Sequence, residues 1–181
     1  MNKNLQIATF AGGCFWCTEA VFLKLEGVEK VVSGYTGGNI KNPAYREICT
    51  GRTGHAEAIQ ITFNDNKISF SELLEVFFAT HDPTTLNRQG NDVGTQYRSA
   101  IFCSDENQKN TAEEFLRLLE KETIFKDTIV TEITALGIFY MAEEDHQNYY
   151  NLNKEQPYCQ FVIQPKLKKL VQYFNEKLKK E

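Results

Sequence analysis

Two cysteines separated by a pair of aromatic residues are the part of this chain best suited to chemistry. They form the run Cys14-Phe15-Trp16-Cys17, which follows two glycines. A Cys-x-x-Cys pair serves in thiol–disulfide exchange, in metal ligation, or as an attacking cysteine with a resolving partner. It is also compatible with two small buried apolar residues at the start of a helix. The spacing alone leaves these four interpretations open.

The first cysteine is predicted to lie at the N-terminus of a helix. Residues 5–10 form a short apolar run that is typical of a strand. After the two glycines, Trp16, Ala20 and Leu23 recur at helical spacing. Unpaired backbone N–H groups and the helix dipole favour an anion at such a terminus. We therefore expect the Cys14 thiol to ionise more easily than a free thiol and to be the nucleophile.

The aromatic spacer bears on the choice between these chemistries. Two large rings between the cysteines restrict the access that an incoming disulfide needs. Phe15 and Trp16 instead suggest an apolar box for a small group such as a methyl, with ordinary core packing as the alternative. Zinc requires about four ligands, and this single Cys-x-x-Cys is followed by no second pair of Cys or His at suitable spacing.

A glutamate in the third predicted strand is placed to donate a proton. In residues 55–63, side chains of the same parity share one face of the sheet. Glu57 therefore points with Ile59 and Ile61; the alternative is a position at the end of the strand, turned to water. A carboxyl group in an apolar site resists ionisation, so its pKa rises above about 4.3. Such a group donates a proton near neutral pH.

Other polar side chains of interest lie outside the predicted helices. Tyr35, Tyr45 and Tyr97, in predicted loops, carry phenol groups that hydrogen-bond a polar oxygen without adding charge. Asp92 lies near two glycines, where it orients a donor or, in the simpler interpretation, forms a turn. Cys159 lies in a C-terminal segment with little regular pattern, which suits a resolving thiol. We assign no catalytic role to the three histidines.

The elements that must position these residues alternate between strands and helices. The apolar patterns predict strands at residues 5–10, 28–33, 55–63, 98–103 and 129–134, and helices after residue 16, from 70, around 112–119 and from 165. Two long irregular stretches, 34–54 and 81–96, are expected to be functional loops. This order predicts an α+β fold with helices packed on one face of a mixed sheet.

Length and composition set the broad class of the protein. The chain has 181 residues, 41% of them hydrophobic, which predicts one domain over residues 1–181, with a C-terminal segment at about 150–164 and a terminal helix at about 165–179. A net charge of −4 argues against a nucleic-acid partner, and no apolar run is long enough to enter a membrane as a spanning helix. Five cysteines, without a secretory signal, favour free or catalytic thiols in a reducing compartment. We expect a cytoplasmic protein.

Several motifs together resemble the peptide methionine sulfoxide reductase A family, whose members reduce the S-epimer of methionine sulfoxide. The resemblance covers residues 9–166. Its motifs are Gly13–Trp16, Gly34–Gly38, Asn42–Glu47, Thr53–Ala58, His81–Pro83, Arg88–Asp92, Gly94–Ser99 and Ala142–Gln147. Each motif is short, but their joint order and spacing make the resemblance specific.

The resemblance implies a role for each candidate residue. Cys14 is similar to the attacking cysteine of the family, and Glu57 to the proton donor for the sulfoxide oxygen. Phe15 and Trp16 correspond to the two rings that cage the methyl group. Tyr45 and Tyr97 correspond to hydrogen-bond donors to the oxygen, and Asp92 corresponds to a further polar group of the site. The fold implied is a two-layer α+β sandwich with a ferredoxin-like core.

The resemblance leaves the resolving cysteine open. The family motif usually continues with Gly after the Trp, where this chain has Cys17. Some relatives resolve the oxidised enzyme with a cysteine at that position and others with one at the position of Cys159. We expect Cys159 to be the first partner, with Cys17 as a rival or a later relay, because a bridge from Cys14 to Cys17 distorts the first helical turn.

The resemblance further implies that thioredoxin restores the thiols and that no metal or organic cofactor is needed. The implied substrate is methionine sulfoxide in peptides or proteins, and the resemblance leaves open whether the free amino acid is reduced too. We expect a monomer. Two other functions stay open at this point: a general thiol–disulfide oxidoreductase that uses Cys14 and Cys17, and a non-catalytic module stabilised by zinc.

Overall fold

A computed structural model describes residues 4–180 of the chain. The strands are β1 (Leu5–Gly12), β2 (Val28–Thr36), β3 (Ala56–Asn64), β4 (Arg88–Gln89), β5 (Asp92–Val93), β6 (Ser99–Cys103), β7 (Glu132–Ala135) and β8 (Tyr140–Met141). The α-helices are α1 (Phe15–Phe22), α2 (Tyr45–Ile48), α3 (Phe70–Thr80), α4 (Glu106–Lys121), α5 (Tyr149–Leu152) and α6 (Gln164–Phe174). A π-helical turn, Cys159–Ile163, leads directly into α6.

Six of the strands form one mixed sheet, in the order β7-β6-β1-β3-β2-β8. Neighbouring strands are antiparallel except for β6 and β7, which are parallel. Helices α1, α3, α4 and α6 contribute side chains to the main apolar core, on one face of this sheet. The predicted α+β fold, with helices on a mixed sheet, is confirmed.

The alternation of side chains along β3 separates the two faces of the sheet. Ile59 and Ile61 lie in the helix-covered core. Ala56 and Ala58 belong to a smaller cluster with Phe102 on the other face, which the segment between β7 and β8 covers. A period of two is the geometry of an extended strand, so the residue after Ala56 must point toward the helices.

Helix α3 packs against β1, the strand that leads to Cys14. Its N-terminus has a capping box, in which Ser69 Oγ accepts from the Glu72 N–H and the Glu72 carboxylate accepts from the Ser69 N–H. On its buried face, the Phe77 ring stacks on Phe10 of β1 with centroids 4.9 Å apart. This contact fixes β1 two residues before it ends at Gly12.

Three predicted segments differ from the observed ones. The strand predicted at 129–134 is the short edge strand β7, shifted toward the C-terminus, because its register is set by pairing with β6. The segment 150–164 is not irregular: it contains part of α5 and the π-helical turn, because Cys159 and Ile163 pack against α1. The terminal helix α6 ends at Phe174 and continues only as a short 3-10 turn.

The two stretches expected to be loops contain short elements that matter for the site. Residues 34–54 include α2 and the end of β2, so Tyr35 lies in a strand and not in a loop. Residues 81–96 include the hairpin of β4 and β5, which places Asp92 at the start of β5. Among the helices of residues 4–180, none combines the length and the apolar character required to cross a membrane.

Candidate active site

The turn from β1 to α1 presents the first cysteine. Gly13 has φ of +93°, and a Cβ atom there would lie 2.6 Å from Gln89 Cγ, so this turn requires glycine. Cys14 is the N-cap residue of α1, with extended ψ of 126°, and its carbonyl accepts from the Cys17 N–H over 3.1 Å. The predicted position of Cys14 at a helix N-terminus is confirmed.

Three of the five cysteines lie together beside α1. Cys14, Cys17 and Cys159 share one buried cluster with Ala20 and Ile163, and all three are free thiols. The side chains of Cys14 and Cys17 interact, and each shifts the pKa of the other. Cys159 is completely buried. Its thiol is therefore part of the packed site and does not lie on an irregular tail.

The ionisation of Cys14 differs from the expectation. Burial raises the pKa of the Cys14 thiol well above its usual value, and the interaction with Cys17 and the charge of Glu57 raise it further. The expectation that Cys14 ionises more easily than a free thiol is therefore wrong. The pKa of Cys17 is lowered by its interaction with Cys14 and by the positive charge of Lys166.

Glu57 is the buried acid of the site. It is only 2% exposed on β3, opposite Tyr35 of β2, as the alternation of residues 55–63 predicts. Burial raises the pKa of Glu57 to about 8, against the opposing effect of a 3.1 Å hydrogen bond that the Phe15 N–H donates to its carboxylate. The nearby charges of Asp92 and Cys17 raise it too. Glu57 is therefore mostly protonated at neutral pH.

Two tyrosines share the surroundings of this acid. Tyr45 begins α2, and its backbone N–H donates to a Glu143 carboxylate oxygen over 2.8 Å. Tyr97 ends a 3-10 turn and packs against the cysteine cluster. Burial, together with the charge of Glu57, raises the pKa of both phenols. Both hydroxyl groups thus keep their protons and remain hydrogen-bond donors.

The two rings between the cysteines have different surroundings. Phe15 is fully buried, with its ring 5.7 Å from Tyr35. Trp16 is half-buried and stacks on Tyr149, with ring centroids 3.7 Å apart and planes at 7°. Tyr158 contacts the indole edge-on at 5.8 Å. The indole is therefore the accessible wall of the site, and Phe15 lies behind it in the core.

Asp92 is joined to the cysteines by a residue that the sequence did not single out. The Tyr158 hydroxyl donates to Asp92 Oδ2 over 2.8 Å and lies 3.6 Å from Cys17 Sγ. Asp92 therefore does more than form a turn, because it anchors the segment that carries Cys159. The only available signal for Tyr158 was its position next to Cys159 in the sequence.

Sequence reasoning also missed the residues that brace the tyrosines and the indole. The Glu143 carboxylate accepts from the Tyr35 hydroxyl over 2.8 Å as well as from Tyr45 N–H. His146 accepts from the Trp16 indole N–H over 3.2 Å. Both lie in Ala142–Gln147, one of the motifs of the family resemblance, but the sequence indicates no role in the site for either residue. Within the part of the chain that the structure describes, no group of three or more His, Cys, Asp or Glu could hold a metal ion.

Comparison with known proteins decides the family. Residues 6–178 match the family model described as peptide methionine sulfoxide reductase. The chain belongs to this family. It is 56% identical over 174 residues to peptide methionine sulfoxide reductase MsrA of Trichodesmium erythraeum, covering 96% of this chain and 98% of the relative. It is 58% identical over 172 residues to MsrA of Deinococcus radiodurans, covering 95% and 84% of the two chains.

A solved structure of a similar protein has the same fold. The reduced form of Mxr1 from Saccharomyces cerevisiae superposes with a TM-score of 0.79 at 32% identity, covering 86% of this chain and 90% of that one. The family identifies the protein as a thiol-dependent methionine sulfoxide reductase, an oxidoreductase, and favours this prediction over the general thiol–disulfide alternative.

Proposed function

We propose that this enzyme reduces the S-epimer of methionine sulfoxide, in peptides and proteins and as the free amino acid, with Cys14 as the nucleophile. The observation that carries the proposal is a buried, protonated carboxyl group beside Cys14: Glu57 accepts from the N–H of Phe15, the residue after Cys14, and its charge acts on the Cys14 thiol. A sulfoxide oxygen is a poor leaving group unless it is protonated, so a neutral acid beside a thiol suits this reaction.

In the first half-reaction, Cys14 Sγ attacks the sulfur of the sulfoxide. Cys17, whose pKa is lowered and which lies in the same cluster, takes up the Cys14 proton as the new bond forms. Glu57 donates its proton to the sulfoxide oxygen as the bond from sulfur to oxygen breaks, and with the Cys14 proton the oxygen leaves as water. Water then attacks Cys14 Sγ, the bond between the two sulfurs breaks, methionine leaves and a proton returns to Glu57. The methionine sulfur is reduced by two electrons and Cys14 is oxidised by two electrons to a sulfenic acid. One thiol and one sulfoxide thereby become one sulfenic acid and one thioether.

The surrounding side chains orient the substrate for this attack. Tyr45 and Tyr97 keep their protons and donate to the sulfoxide oxygen. The methyl group packs against the exposed part of the Trp16 indole, with Phe15 supporting that wall from the core. Asp92 acts through Tyr158, which it holds beside the cysteines. Each role rests on position within the pocket.

In the second half-reaction, another thiol condenses with the sulfenic acid and releases water. Of the two candidate thiols, only Cys17 shifts the pKa of Cys14, so we propose Cys17 as the first partner in place of Cys159. An N-cap residue lies outside the regular helix, so the bridge leaves most of α1 undisturbed. Cys159 lies in the same cluster and takes the disulfide next, from Cys17. Thioredoxin then reduces the enzyme.

The remaining expectations complete the proposal. The order β6-β1-β3-β2, with α1 between β1 and β2 and α3 between β3 and β6, supports a ferredoxin-like core in a two-layer sandwich within one domain. The reacting groups Cys14, Cys17, Cys159 and Glu57 converge in one site, so the proposed reaction requires no second copy of the chain and we propose a monomer. The electrons come from thiols, so the reaction needs no metal or organic cofactor. Free thiols suit a reducing compartment such as the cytoplasm.

A mass-spectrometric assay with the two sulfoxide epimers offered separately tests this proposal. The wild type should convert the S-epimer and leave the R-epimer, and Cys14→Ser should abolish the conversion. Turnover retained by Cys14→Ser rejects the nucleophile. Peptide mapping after one turnover then separates a Cys14–Cys17 disulfide from a Cys14–Cys159 disulfide.

A further inference from the structure

The indole of Trp16 is held by a side chain that takes no part in the proposed chemistry. Trp16 Nε1–H donates a hydrogen bond to His146 Nδ1 over 3.2 Å. An indole N–H is only a donor, so Nδ1 must be the unprotonated nitrogen and the imidazole proton lies on Nε2. The bond defines both the position of the indole edge and the tautomer of His146.

His146 also contacts the groups on the oxygen side of the site. Its ring centroid lies 4.3 Å from that of Tyr45 and 5.5 Å from that of Phe15. The residue is only 7% exposed. The imidazole therefore bridges the apolar wall, which receives the methyl group, and a phenol that donates to the sulfoxide oxygen.

The segment that carries His146 is fixed to the sheet and to α1. The Gln147 side chain accepts from Ser33 N–H and donates to Ser33 O, both over 2.9 Å. The buried Glu19 carboxylate accepts from the N–H of Asn148 over 2.7 Å and from the N–H of the next residue. These hydrogen bonds anchor the segment around His146 to β2 and α1. The position of Nδ1 relative to the indole is therefore fixed.

We propose that His146 is a positioning residue for sulfoxide reduction, which fixes the plane and edge of the Trp16 indole against which the substrate methyl packs. Stacking on Tyr149 holds the indole plane but allows the ring to slide within it. The hydrogen bond to Nδ1 removes that freedom. His146 acts through Trp16 and Tyr45 and does not touch the reacting atoms. The inference rests on the proposed function.

The first test reads the hydrogen bond directly. The chain contains one tryptophan, so a ¹⁵N-labelled sample gives one indole N–H signal. In the wild type this proton should lie downfield and exchange slowly with solvent. His146→Leu should move it upfield and speed its exchange, whereas His146→Asn should restore it, because the Asn amide oxygen lies close to the place of Nδ1. An indole proton that exchanges as fast in the wild type as in a free indole overturns the inference.

A matched control separates this effect from the loss of any buried imidazole. His81 is buried to a similar extent, and its two ring nitrogens contact Phe77 O and Ser99 Oγ, not Trp16. His81→Leu should therefore lower stability while leaving the indole signal in place. If His81→Leu and His146→Leu move the signal equally, the effect belongs to general loosening and the inference fails.

The second test is kinetic. In single-turnover experiments, His146→Leu should raise the concentration of S-sulfoxide that gives half-maximal rate by about tenfold, or about 1.4 kcal/mol. The maximal rate should change less, and His146→Asn should recover most of the affinity. Normal turnover with unchanged half-saturation in His146→Leu overturns this inference alone. Absence of wild-type turnover overturns the proposed function, while the indole signal still reports on the hydrogen bond.

Discussion

Replacing Glu57 by glutamine should stabilise the protein increasingly as the pH rises. The folded state holds the pKa of Glu57 at about 8, against a usual value of 4.5. Below pH 4.5 the acid is protonated in both states, so its stabilising contribution is complete. As the pH rises from 4.5 to about 8, only the unfolded state releases the proton, and stability falls by about 1.4 kcal/mol per pH unit. The total loss is about 5 kcal/mol.

Glutamine is neutral at every pH and its amide oxygen still accepts from the Phe15 N–H. The free energy of unfolding of Glu57→Gln minus that of the wild type should therefore increase by about 5 kcal/mol between about pH 4 and about pH 9. Urea denaturation under reducing conditions measures this difference, in which the other titrating groups cancel. Glu114→Gln, on the exposed side of α4, is the matched control and should show no such trend. If the difference in the free energy of unfolding between Glu57→Gln and the wild type did not change with pH, the raised pKa of Glu57 would be refuted.

Further predictions concern the same pocket. The maximal single-turnover rate of sulfoxide reduction should fall as the pH rises through about 8, because Glu57 then loses the proton that it donates; a rate that stays level well above that pH contradicts its role. Tyr97→Phe should lower that rate about tenfold, the effect of losing one hydrogen bond to the oxygen, and an unchanged rate in rapid-quench experiments excludes the phenol. Gly13→Ala should lower the free energy of unfolding by more than about 1 kcal/mol, because φ is +93° and the new Cβ would meet Gln89. An unchanged melting temperature would contradict that turn geometry.

The sequence predicts those parts of the site that depend on local regularity. Alternation along a strand is set by the backbone, so the direction of Glu57 followed from the apolar residues around it. The position of Cys14 followed in the same way from the order of strand, glycine turn and helix. Five of the six strands of the sheet also followed from their apolar patterns, whereas the two-residue edge strand β8 was not predicted, because it is too short to show a pattern. These features depend only on residues that are close together in the sequence.

Other features depend on contacts between distant segments and could not be predicted. Burial of Cys14 raises its pKa, and the cluster in which it is buried includes Cys159 and Ile163 of the distant C-terminal segment. Tyr158 and His146 reach the site from positions 141 and 130 residues away from their partners Cys17 and Trp16. The helical form of the segment around Cys159 likewise arises from packing against α1, since its sequence pattern is weak.

Trapping the first oxidised form of Cys14 is the most direct test of the mechanism. In a variant with both Cys17 and Cys159 replaced by serine, one equivalent of the S-sulfoxide should yield one methionine per chain, and a sulfenic-acid reagent should label Cys14. Mass spectrometry of the labelled peptide reads both outcomes in one sample. Methionine release without a label on Cys14, or a label on another cysteine, would contradict nucleophilic attack by Cys14.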